Sequence, residues 1–114
     1  LSRIPIAMVI RGARLNKMVK QLSQIGSQSV NKPHIRLINN SSVSKAESLF
    51  ATITRNKIGN IVEVSPNVFQ ANMGNGNYIL YRTVSGTQSP GVIATIELNF
   101  SSLFQEIIKL KFYP

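Results

Sequence analysis

The chain has 114 residues, 43% of them hydrophobic, which suits a single domain built on one core. Thirteen Lys and Arg stand against four acids, all Glu, for a net charge of +9, an excess that draws a domain of this size to polyanions. The absence of Cys excludes disulfide frameworks, zinc–thiolate clusters and thiol nucleophiles, and one His with no Asp leaves too few carboxylates for a two-metal nuclease site.

In chain order, residues 1–10 read as an apolar stretch whose first residues are extended before a helix. No apolar run nears the roughly 18 residues of a membrane span, and no basic-plus-apolar leader with a small-residue cleavage site is visible. From Arg11 to Gln24, Leu15, Met18, Val19 and Leu22 recur at helical spacing while Arg11, Arg14, Lys17 and Lys20 take other faces. This predicts a basic amphipathic helix stopping before Gly26. Such a helix either lies along a phosphate backbone or simply solvates its cations.

Ser27 to Pro33 reads as a polar connector, and His34 to Ile38 as a short strand or an extended entry. Ser44-Lys45-Ala46-Glu47 matches a capping box, Ser44 as N-cap and Glu47 reaching back, at the head of a helix ending near Arg55. Strands follow at 61–64, 68–72, 78–84, 92–98 and 107–113. Gly74-Asn75-Gly76 between the second and third supplies the positive φ of a hairpin turn. Leu103 and Phe104 are expected to cover one edge of the core. The expected fold is α+β: a helical N-terminal part (1–32), then a helix and a twisted antiparallel sheet of four to five strands (33–114), in one domain.

Strand alternation sorts the side chains of the last two strands. Val92, Ala94, Ile96 and Leu98 form one apolar face and Ile108, Leu110 and Phe112 another. If the two strands pair, Thr95, Glu97, Lys109, Lys111 and Tyr113 share the opposite face. The strand from Tyr78 is less regular, and a twist or bulge near Arg82 would bring that guanidinium to the same side. Cations, hydroxyls and a tyrosine on one sheet face suit a phosphodiester, although antiparallel sheets often merely solvate one face. RNA cleavage needs no metal, because the 2′-OH attacks the adjacent phosphate. A base, an acid and a cation suffice. His34 or Tyr113 would move protons, Arg82 or Lys111 would stabilise charge, and Thr95 would hold a phosphate oxygen. Arg36, Lys57, Lys109 and Lys111 are the candidate RNA-binding cations. No cofactor is expected. A non-catalytic RNA-binding domain accounts for the same charge, as does a basic face that meets an acidic protein.

Tyr81-Arg82-Thr83-Val84-Ser85-Gly86, Ala94-Thr95-Ile96-Glu97-Leu98 and Ile108-Lys109-Leu110-Lys111-Phe112-Tyr113-Pro114 together resemble a pattern in the metal-independent ribonuclease superfamily of barnase, EndoU, colicin-type tRNases and RelE. The likeness spans roughly residues 33–114 and is strongest to C-terminal toxin domains of contact-dependent growth inhibition effectors. It implies a tRNase-type toxin that leaves a 2′,3′-cyclic phosphate, is delivered from the surface of one bacterium into the cytoplasm of its neighbour, and is blocked by an acidic immunity protein. A monomer or a toxin–immunity heterodimer is implied with it. Carried over by residue, the site is His34, Arg82 or Lys111, Thr95 and Tyr113. The chain departs from EndoU in having one histidine where that branch uses two.

Overall fold

The computed structural model describes residues 6–83 and 90–114, with the side chains of α1 from residue 14 onward. The elements run α1 (Ile6–Leu22), β1 (Ser27–Ser29), β2 (Lys32–Ile38), α2 (Val43–Ile53), β3 (Ile58–Ser65), β4 (Val68–Gly74), β5 (Asn77–Arg82), β6 (Ala94–Asn99) and β7 (Ile108–Phe112). All seven strands join one sheet in the order β1-β2-β7-β6-β5-β4-β3. Every neighbouring pair is antiparallel except β2 and β7, which run parallel with Ile35 beside Lys109 and Leu37 beside Lys111.

This corrects the expected arrangement of N-terminal helices on a four- to five-stranded antiparallel sheet. The sheet is mixed and has seven strands, and β1 and β2 separate the two helices. One added strand, β1, comes from the segment expected as a connector, and β2 begins two residues before the extended segment expected from His34. Ser27–Ser29 pairs antiparallel with β2 across a turn in which Asn31 has φ 60°, the left-handed conformation that Asn tolerates. Gly26, expected as a helix stop, has φ 67° four residues beyond α1. A Cβ there would lie 2.2 Å from the Leu37 carbonyl oxygen, so the chain passes too close to β2 for any side chain.

The capping expectation is also corrected. Ser42, not Ser44, is the N-cap of α2: its extended backbone (φ −152°) lets the hydroxyl accept from the Lys45 amide at 3.1 Å. Thr54 closes the other end and donates its hydroxyl to Phe50 O at 2.7 Å. The Asn75-Gly76 turn is as expected, with φ of 56° and 77° between paired Gly74 and Asn77. The expected loop residues Ser85, Gly86, Thr87 and Ser89, and Val84 at the end of an expected strand, lie outside the described residues.

One face of the sheet carries the core. Val19 and Leu22 of α1 and Ala46, Phe50 and Ile53 of α2 pack with Ile79, Tyr81, Ile96, Leu98, Leu110 and Phe112. Tyr81 is stacked between Phe50 (centroids 5.3 Å) and Phe69 (6.5 Å). Leu103 and Phe104 pack partly buried against this cluster, as expected. With both helices on this side, the other face is formed, among the described residues, by the strands alone.

Candidate nucleic-acid interface

The register assembles that second face row by row. Val68, Arg82, Thr95, Lys111 and Leu37 succeed one another across β4, β5, β6, β7 and β2. The next row is Val62, Gln70, Leu80, Glu97, Lys109 and Ile35. Directly opposed residues bring Cβ atoms to about 5 Å, so Arg82, Thr95 and Lys111 are immediate neighbours. No bulge is needed for Arg82. Ile79 and Tyr81 are the core-facing residues of β5, and Tyr78, Leu80 and Arg82 follow on the other side.

The centre of this face is a buried carboxylate among cations. Glu97 is 7% exposed and Thr95 8%, although both sit on the helix-free side. Arg82 donates from Nη2 to Glu97 Oε2 at 2.6 Å. Lys109 Nζ lies 3.8 Å from Oε1, beyond hydrogen-bond reach. The long stems of Arg82 and Lys109 thus shield Glu97 while their heads stay partly in water. Arg82 Nε is buried and has no acceptor among the described residues, so the guanidinium keeps an unused donor. Burial pushes the Lys111 amine below its ordinary value, and repulsion from Lys109, Lys32 and Arg82 adds to this, against a weaker pull from Glu97. Tyr113 follows two residues after Lys111, its ring against Gly91, where a Cβ would stand 3.6 Å away.

The candidate residues therefore divide. Arg82, Thr95, Lys109 and Lys111 converge on one face, with Tyr113 at its end. His34 does not join them. It precedes Ile35 on β2 and so points to the helix side, where its Nδ1 lies 2.6 Å from Glu106 Oε2. Its cleft is lined by Asn31, Pro33, Phe104, Gln105 and Ile108. Arg36 is also on the helix side. Its guanidinium donates to the carbonyls of Ile25 (2.9 Å), Gln24 (3.0 Å) and Gly26 (3.1 Å) and ties the chain after α1 to β2. Lys57 lies between α2 and β3, at the far edge of the sheet from β7.

Two residues carry no role in the sequence expectation. Alternation puts Glu97 on this face, and its burial between two cations is a tertiary fact. Lys32, at the head of β2, adds to the repulsion on Lys111. Among the described residues no three His, Cys, Asp or Glu side chains converge, and no helix is long and apolar enough to cross a membrane. Comparison of the chain with known protein families, with curated proteins and with solved structures finds no match.

Proposed function

We propose that the helix-free face binds RNA and cleaves it without a metal, with Glu97 rather than His34 as the base. The observation that carries this is the Glu97 carboxylate, buried at the middle of a cationic row with Arg82 bonded to one oxygen and Lys109 3.8 Å from the other. A phosphodiester seated over Thr95 meets the half-exposed Arg82 side chain on one side and Lys111 on the other. It also relieves the mutual repulsion of Lys32, Arg82, Lys109 and Lys111.

In the step this arrangement suits, the 2′-OH gives its proton to Glu97 Oε1 and its oxygen bonds to phosphorus. The P–O5′ bond breaks as O5′ takes a proton from the Lys111 ammonium, whose lowered affinity favours release. Arg82 and Lys109 stabilise the charge that gathers on the phosphoryl oxygens. The products are a 2′,3′-cyclic phosphate and a 5′-hydroxyl. The toxin reading, with an acidic immunity protein laid over this face, rests on the likeness of the β5, β6 and β7 segments and on the +9 charge. The superfamily's expected architecture no longer supports it, since the sheet differs.

A second reading is a non-catalytic RNA-binding face, and the Arg82–Glu97 pair favours it. That pair is already closed at 2.6 Å and serves equally as a structural strut. Incubation with total tRNA in EDTA separates the two. Cleavage to cyclic-phosphate ends that falls about 100-fold or more in Glu97→Gln, with RNA still bound, supports catalysis. Tight binding of intact RNA by the wild-type chain leaves only the binding reading. Cleavage by Glu97→Gln at the wild-type rate refutes the assignment of the base.

A further inference from the structure

The sheet order ends on β3, and among the described residues nothing pairs with its outer edge. All eight of its residues are exposed, and the apolar ones heavily: Ile58 58%, Val62 58%, Val64 50% and Ile61 37%. Monomeric proteins usually blunt such an edge with Lys, Pro or a covering segment. The strand Ile-Gly-Asn-Ile-Val-Glu-Val-Ser contains neither Lys nor Pro. Its register shifts against β4, at Ile58/Val62 and Glu63/Ser65, twist the strand but leave those side chains in water.

The distribution of charge says what fits there. From Ile58 to Tyr81 the only charged residue is Glu63, in a chain of net charge +9. Arg55 and Lys57 stand just before β3 and Glu63 lies within it, so the edge carries both signs of charge, which an antiparallel second copy complements. β3 stands four ladder steps from the lysines of β7, about 19 Å at the usual strand spacing and more than two Debye lengths at physiological salt. Two copies can therefore meet here without bringing their basic faces together.

We propose that β3 is a self-pairing edge, through which two copies of this chain join antiparallel about a twofold axis at Asn60. In that register Ile58 opposes Val62 of the partner subunit, and Glu63 opposes Lys57 of the partner subunit, each contact occurring twice. The sheet becomes continuous across the axis, with a basic face at each end. A dimer of this shape engages two stretches of one polyanion.

Light scattering on a sizing column, run over rising protein concentration, tests the proposal. The wild-type chain is expected to move from 12.6 kDa to twice that mass. Val62→Lys, which places a charge at a site exposed in the single subunit, is expected to stay at the single mass, with an unchanged circular dichroism spectrum and, at concentrations where the wild type is also single, the same melting point. Glu63→Lys should weaken the dimer, and the swap Lys57→Glu with Glu63→Lys should restore it. A wild-type chain that stays single at high micromolar concentration overturns the proposal, as does a Val62→Lys protein that dimerises like the wild type. Failure of the swap to restore what Glu63→Lys loses overturns the register.

Discussion

Replacing Tyr81 by Phe is expected to change how stability falls at alkaline pH while leaving neutral pH almost untouched. Tyr81 is 4% exposed, and its hydroxyl has no hydrogen-bond partner in good geometry. Burial, reinforced by the nearby Glu47 carboxylate, pushes its pKa from 10.0 up to about 12. The folded value lies above the unfolded one, so the neutral phenol's stabilising contribution is fully present below about pH 10 and is lost as pH rises towards 12. That separation corresponds to about 2.7 kcal/mol over the whole window, of which about 1.4 kcal/mol is gone by pH 11. Tyr81→Phe removes the titration and keeps the ring between Phe50 and Phe69. Near pH 8 the two proteins should agree within about 1 kcal/mol, since the hydroxyl approaches the Glu47 carboxylate without a well-aligned bond. Urea titrations across the alkaline range should then favour the variant by about 1.4 kcal/mol at pH 11. Every other alkaline group is shared and cancels in the difference. Parallel pH profiles for the two proteins would refute the placement of Tyr81 against the core.

Two further substitutions test the corrected local structure. Ser42→Ala should lower stability by about 1 kcal/mol in chemical denaturation, whereas Ser44→Ala should stay within about 0.5 kcal/mol, because only Ser42 caps α2. Arg36→Gln should cost about 2 kcal/mol in the same assay through its lost carbonyl contacts. In filter binding with RNA it should lose far less affinity than Lys111→Gln, since Arg36 does not face the cationic row.

The part of the site that depends on strand alternation is legible without coordinates. Ile96 and Leu98, or Leu110 and Phe112, can sort to only one face, and Thr95, Glu97, Lys109 and Lys111 follow to the other. The β4–β5 turn is legible for a local reason as well, since Asn75-Gly76 accepts the positive φ it demands. β5 is harder to read because both of its faces carry bulky apolar groups, Ile79 and Tyr81 against Tyr78 and Leu80. Only its neighbours decide where Arg82 points. β1 is invisible because Ser27-Gln28-Ser29 has no apolar alternation and is a strand solely by pairing with β2. The fate of His34 lies beyond local pattern too. Its facing is set by the parallel register with β7, more than seventy residues away, which no local periodicity encodes. Three serines, at 41, 42 and 44, offer caps near α2, and the extended backbone of Ser42 rather than the spacing to Glu47 selects the one used.

The parallel contact of β2 with β7 bears on the order in which the molecule can be assembled. β7 is seventh along the chain but third across the sheet, and it joins the β1–β2 hairpin to the β3–β6 meander. Until it inserts, those two pieces have no ladder in common, and the hydrogen-bonding edges of β2 and β6 that meet it stand open. Such long-range closure is slow relative to hairpin formation. The same strand brings Lys109 and Lys111 and leads directly into Tyr113, so the cationic row is absent from any partly assembled form. β7 is a keystone: the event that completes the sheet also creates the basic face, and a chain halted before that step has neither.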